Sequence, residues 1–182
     1  MGNFLDNFGS SGNGDGDFDH PNGVAVDSNR NFFVVDLFLH RVQKFDPSGN
    51  FLLKFGTNGS ANGEFSLPVG IVIDASDNLY ITDAGNDRVQ KFDNNGNFIS
   101  LFGVPGTGNG EFGQPLGIAL DPSGNILVVD SINDRVQLFD LDGNYLDQFG
   151  TSGAGLGEFT NPQGVAVDDF GNIIVTGSDV LT

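Results

Sequence analysis

The chain has 182 residues, no cysteine, 28 glycines, 18 phenylalanines and a formal charge of -17 set against only seven Lys and Arg. Such an acidic balance repels phosphate backbones and anionic lipid, which argues against nucleic acid or a membrane surface as a partner. Without cysteine there is no disulfide framework and no thiolate metal site.

Taken in order, the chain opens inside an apolar run, Asn3 to Phe8, which reads as the fourth strand of an incomplete unit over residues 1–9. No basic leader precedes it, and no stretch of about 18 apolar residues exists to span a bilayer, so the expectation is a soluble chain. Residues 10–56 form a first full unit, in which a Gly- and Asp-rich loop precedes four short apolar runs. The second unit, residues 57–103, shows the same plan as GIVID, NLYITD, RVQKFD and NFISLFG. A third full unit covers residues 104–150, and a partial one, residues 151–182, stops where Arg41, Arg88 and Arg135 begin the third runs of the earlier units. The runs are too short for ordinary helices and are rich in β-branched and aromatic residues. Turns such as DPSGN, DNNGN and DLDGN separate them, so each unit predicts a four-stranded antiparallel meander.

The register of the repeat is strict. Phe8-Gly9, Phe55-Gly56, Phe102-Gly103 and Phe149-Gly150 recur every 47 residues, and so do Pro21, Pro68, Pro115 and Pro162. Gly23, Gly70, Gly117 and Gly164 keep the same step, as do Asp27, Asp74, Asp121 and Asp168. A lone sheet of this size buries little on either face and needs neighbours stacked against it, in a propeller ring or in a solenoid of sheets.

The recurring pattern P-x-G-[VI]-[AV]-[VIL]-D, then N-x-x-x-x-D, R-V-Q-x-F-D and G-N-[FY], resembles the NHL repeat over nearly the whole chain. The resemblance implies an all-β fold, a β-propeller built of four 47-residue NHL-type four-stranded repeats and one strand short of four complete blades. The family spans ubiquitin-ligase adaptors, RNA binders, sensor domains and a metal-dependent lyase, so it marks a fold more than a function. Strands at the unfilled place would leave backbone groups unpaired, at a cost of roughly 1 kcal/mol per hydrogen bond, which motivates assembly through a donated strand.

Residues that could carry chemistry are few. Asp83 and Arg88, with Asp36 and Arg41 and Asp130 and Arg135, bracket the connection between second and third strands and read as structural ion pairs, because an active site does not need three copies. That connection is polar in AGND and SIND, but in the first unit it reads Leu37-Phe38-Leu39-His40, and in the last Ser178-Asp179-Val180-Leu181. These two apolar loops, with Leu37, Phe38, Leu39, His40, Val180 and Leu181, are the expected binding surface.

Asp15, Asp17 and Asp19 alternate in the first loop, where the other units carry only Glu64, Glu111 or Glu158. Carboxylates so spaced could wrap calcium, although no EF-hand follows, since the twelfth position from Asp15 is Val26. His20 and His40 are the only histidines, too few for the His-rich central metal site of a propeller lyase. No nucleophile elbow or phosphate loop is present, and Asn58-Gly59-Ser60 is a glycosylation sequon that matters only outside the cytoplasm.

The sequence therefore predicts a noncatalytic propeller scaffold without a cofactor. Its expected partners are another protein, other copies of itself or a carbohydrate, in an extracellular or cell-surface setting. The alternative is a propeller lyase or hydrolase with a metal in the central pocket.

Overall fold

The computed structural model describes residues 8–177. The expected strand before Phe8 and the loop Ser178-Asp179-Val180-Leu181 fall outside the described residues. The first unit forms strands β1 (Pro21–Val26), β2 (Phe32–Asp36), β3 (Arg41–Phe45) and β4 (Phe51–Phe55). The second forms β5 (Pro68–Ile73), β6 (Leu79–Asp83), β7 (Arg88–Phe92) and β8 (Phe98–Phe102). The third forms β9 (Pro115–Leu120), β10 (Ile126–Asp130), β11 (Arg135–Phe139) and β12 (Tyr145–Phe149). Each set is one antiparallel sheet in chain order, and β13 (Pro162–Val167) pairs antiparallel with β14 (Ile173–Gly177) in the last unit.

Turn chemistry fixes where each hairpin closes. In Asp46-Pro-Ser-Gly-Asn50, one carboxylate oxygen of Asp46 accepts the amides of Ser48 and Asn50 at 2.8 and 2.9 Å, and the other accepts the Asn50 side-chain amide at 2.8 Å. The same wiring recurs at Asp93, Asp140 and Asp168, so the Asp-x-x-Gly-Asn spacing is a folding instruction. The spacer loops, which read as simple Gly-rich connections, hold short parallel pairings instead, such as Val104–Pro105 with Glu111–Phe112. These set Phe18, Phe65, Phe112 and Phe159 into the core at 0 to 9% exposure. Gly56, at φ +92°, makes room for one of them, because a Cβ there would meet the Phe65 ring at 2.6 Å.

Alternation along the strands gives each sheet two apolar faces, and neighbouring units press unlike faces together. Phe33, Val35 and Val42 of the first unit pack on Phe65, Ile71, Leu79, Ile81 and Phe92 of the second. Tyr80 and Val89 meet Phe112, Ile118, Ile126, Val128 and Phe139 in the same way, and Leu127, Val129 and Val136 meet Phe159. The core therefore lies between blades, and each fully buried aromatic or aliphatic side chain there contributes roughly 1.5–3 kcal/mol.

The innermost strands β1, β5, β9 and β13 approach so closely that only glycine fits at the crossing. A Cβ on Gly23 would lie 2.5 Å from the Val69 carbonyl oxygen, on Gly70 2.8 Å from that of Leu116, and on Gly117 2.6 Å from that of Gln163. The obstacle is backbone and cannot swing away. Replacing Gly70 with Ala is therefore expected to cost about 1–3 kcal/mol, read as a lower midpoint in urea unfolding at unchanged slope.

Candidate functional site: the axial depression

Most of the buried polar groups belong to one Asp-Arg-Gln motif, complete in the second and third units and altered in the first. Asp83 is fully buried at the end of β6, and its carboxylate accepts Arg88 Nε at 2.7 Å, Gln90 Nε2 at 3.0 Å, Asn86 Nδ2 at 2.9 Å and the Ser66 amide at 2.7 Å. Arg88 then donates to the carbonyls of Ser60, Ala61 and Glu64, and Gln90 to that of Glu64. Asp130, Arg135 and Gln137 repeat the arrangement, with the Arg135 Nε to Asp130 distance again 2.7 Å. Every polar atom in this cluster binds spacer backbone or a partner side chain, so the cluster holds the loop onto the blade and offers nothing to a substrate. The repeated RVQ is the signal in the sequence for the buried glutamines.

The first unit departs from this motif because Leu39 stands where Asn86 and Asn133 brace the carboxylate. Arg41 Nε lies 4.0 Å from Asp36 and is a buried donor without a hydrogen-bond partner among the described residues, while its other nitrogens still bind the carbonyls of Asn13, Gly14 and Asp17. Asp36 instead accepts the amides of Asp19 and His20.

The structure places the four residues of the first unit's apolar loop in different surroundings. Leu37 points into the hollow at the centre of the blades, while Phe38 is half exposed and packs against His20 in a tilted arrangement with ring centroids 4.4 Å apart. Leu39 lines a separate shallow hollow with Ser11, Gly12, Asn13 and Asp19. His40 adopts a left-handed backbone, φ 50°, and its Nδ1 accepts the Leu67 amide of the next blade at 3.1 Å. Asp87 and Asp134 make the same bond to Gln114 and Asn161, so His40 is an interblade brace. Val180 and Leu181, the other half of the expected surface, lie outside the described residues.

The three acidic side chains of the first loop are not brought together. Asp15 pairs with Lys54, Asp17 accepts the Gly14 amide and the Ser10 hydroxyl, and Asp19 lies 3.6 Å from His20. Asp17 does the work that Glu64, Glu111 and Glu158 do in the later units, each accepting an amide three residues back. Among the described residues no group of three His, Cys, Asp or Glu side chains is placed to hold a metal ion.

One hollow draws on all four units. Asn22, Val69, Leu116 and Gln163, each just before the glycine of its inner strand, surround it with Leu37, Leu67, Ala84 and Gln114, enclosing about 390 Å³. Its wall is leucine, valine and alanine, and its polar groups are three carboxamides. The sequence marked these positions only as the variable x of P-x-G. The variation is itself the sign, because a residue that built the blade would repeat.

Four-stranded meanders arranged side by side around inner strands that meet at a central hollow define a β-propeller. Residues 65–92 match the NHL repeat and residues 123–179 match a 6-bladed beta-propeller. Both matches are consistent with a propeller built of NHL-type repeats. No curated protein matches it. Among solved structures it is similar to virginiamycin B lyase from Staphylococcus aureus, at 12% identity and a TM-score of 0.67, over 87% of this chain and 49% of that one. It is also similar to hydrazine synthase from Kuenenia stuttgartiensis, at 15% identity and a TM-score of 0.69, over 91% of this chain and 44% of that one. A Bacteroides thetaiotaomicron protein aligns at 21% identity and a TM-score of 0.68, over 86% and 44%. The chain spans about half the length of these structures, and identities this low show the fold alone.

Two measurements test the structural assignments. Leu39→Asn should restore the missing brace on Asp36 and raise unfolding stability by about 1 kcal/mol, readable in urea melts. The turn aspartates give the second. Hydrogen bonds from Asn50, Asn144 and Asn172 hold the carboxyls of Asp46, Asp140 and Asp168 below the ordinary value. Burial pushes Asp74 upward, but the bonds from Asn78, Ser76 and Tyr80 outweigh it and leave that carboxyl below the ordinary value too. A carboxyl whose folded pKa is depressed stabilises the fold above its unfolded value and loses that contribution as pH falls through the folded one. Thermal midpoints should therefore hold steady from neutral pH down to about 4 and fall steeply below it.

Proposed function

We propose that the chain is a noncatalytic β-propeller scaffold that binds protein or carbohydrate at the axial depression and assembles with other copies of itself. The observation carrying this reading is the chemistry of the depression, where an apolar wall is joined by the carboxamides of Asn22, Gln114 and Gln163 with no ionisable side chain among the described residues that line it. General acid-base catalysis needs a titratable group within hydrogen-bond reach of the reacting atoms, and this lining supplies none. Amides donate and accept without charge, while leucine and valine reward burial of an apolar face, a combination that suits a sugar ring or an uncharged peptide. The overall charge of -17 disfavours anionic ligands.

No cofactor belongs to this reading, and calcium titrated onto the loop of Asp15, Asp17 and Asp19 should give no saturable heat beyond a chelator control. An extracellular or cell-surface setting accords with Asn58, which is exposed at the start of its sequon.

A panel of neutral oligosaccharides and uncharged peptides, titrated by calorimetry, tests the site. Leu116→Asp puts a charge into the depression and should weaken any binder from the panel at least about tenfold, because a charge buried against an apolar ligand goes uncompensated. Turnover of a small substrate by protein carrying stoichiometric metal would overturn the noncatalytic reading in favour of a lyase or hydrolase.

A further inference from the structure

Three equivalent bonds tie the loop after the second strand of one unit to the residue before the inner-strand proline of the next. The Asp87 carboxylate accepts the Gln114 amide at 2.7 Å, the Asp134 carboxylate accepts the Asn161 amide at 2.8 Å, and His40 Nδ1 accepts the Leu67 amide at 3.1 Å. Both partners of the first bond have left-handed backbones, φ 50° at His40 and 52° at Leu67, a conformation that leucine seldom adopts and that its surroundings must hold. Leu67 lines the axial depression, and so does Leu37, three residues before His40 on the same loop. This one bond therefore joins two leucines of the wall across the interface of the first and second blades.

Its chemistry differs from that of the other two. A carboxylate keeps its lone pairs down to about pH 4, whereas an imidazole has one only while neutral and ordinarily loses it near about pH 6.5. With Nδ1 accepting, the ring proton of His40 sits on Nε2, so a second proton can enter only at Nδ1 and sets N–H against N–H. Among the described residues no carboxylate stands within ion-pair distance of this ring to hold the charged form in place. The charged groups on the elements packed around it face other partners. Asp36 faces Arg41 at the ends of the same loop, Asp83 binds Arg88 and the Ser66 amide, and Glu64 accepts the Ala61 amide. Lys54 pairs with Asp15 near the end of β4, and Asp19 stands beside His20. Carboxyl groups ordinarily titrate near about 4, so between about pH 5 and 8 the side chains that change charge are the two histidines, His20 and His40.

We propose that His40 is a pH-operated latch on the wall of the depression, closed on Leu67 while the imidazole is neutral and released when it is protonated. The closed form binds one proton fewer than the released form, so closure strengthens as pH rises and is lost as pH falls. Release frees the Leu67 amide and lets the two leucines part, which weakens a ligand held between them. That last step rests on the depression being the binding site. The second and third interfaces, closed by Asp87 and Asp134, stay shut over the same range.

The latch is tested residue by residue, because one hydrogen bond moves a global melting point too little to read. Hydrogen exchange followed by NMR on the full chain gives the protection factor of the Leu67 amide, which should fall at least about fivefold between about pH 7.5 and 5. The Gln114 and Asn161 amides should keep theirs. H40D places at this position the residue that the next two units use, and should make Leu67 as steady as Gln114. H20Q removes the other histidine, which packs on Phe38, and should leave the fall at Leu67 unchanged. Protection at Leu67 that stays flat in the wild type, or falls equally in H40D, or no longer falls in H20Q, overturns the latch. The panel of oligosaccharides and peptides, titrated at both ends of the range, separates this from the ligand site. A binder should lose affinity at about pH 5 in the wild type and keep it in H40D, and a binder that loses none in the wild type overturns the control of the site by His40. A latch that opens while no member of the panel binds retires the depression as the ligand site and leaves the latch standing.

Discussion

A four-stranded sheet of five- and six-residue strands has two apolar faces and cannot bury either against itself, so every blade here depends on the next for its core. Phe33 and Val35 of one blade are fully buried only because Ile71, Leu79 and Ile81 of another lie on them. Burial across the interface is the main stabilising term, and it reaches full density only if the inner strands come nearly into backbone contact. That demand explains the glycine at each crossing, where a Cβ on Gly23, Gly70 or Gly117 would fall within 3 Å of a neighbouring carbonyl oxygen.

The same constraint fixes where polar residues go. Each spacer loop buries a single phenylalanine, and fully buried Asp83 and Gln90 with the nearly buried Arg88 tie the rest of the loop backbone down, as Asp130, Arg135 and Gln137 do again. Such clusters are costly to bury and useful only when their atoms find partners, and in the first unit, where Leu39 takes the asparagine's place, Arg41 Nε has no hydrogen-bond partner among the described residues. Repetition also removes these residues from consideration as a catalytic centre. The hollow at the axis is different, since Asn22, Val69, Leu116 and Gln163 differ from one unit to the next while the glycine beside them does not.

Much of the fold was legible because local rules and the repeat agree. The Asp-x-x-Gly-Asn turns announce themselves through side chains that bind their own backbone, and the alternation in RVQKF and NLYITD marks strands without help from tertiary contacts. The site was less legible. Leu37 was singled out with Phe38, Leu39 and His40 because the four differ together from AGND, yet only Leu37 faces the axial hollow and His40 substitutes for an aspartate as a hydrogen-bond acceptor. Leu37, Leu39 and His40 meet different neighbours because of how the loop sits against the adjoining blade, and no pattern of hydrophobicity records that.

By itself the sequence determined the 47-residue period, the four strands of each unit, the turns and the glycine column, all of which follow from interactions within a few residues or from exact recurrence. Tertiary structure decided what depends on distances between units. It placed Asp15, Asp17 and Asp19 on separate partners, gathered Asn22, Leu116 and Gln163 around one hollow, and left Val24 and Ile174 exposed. Each of these outcomes is set by how one blade rotates against the next, a geometry that arises only when the inner strands meet.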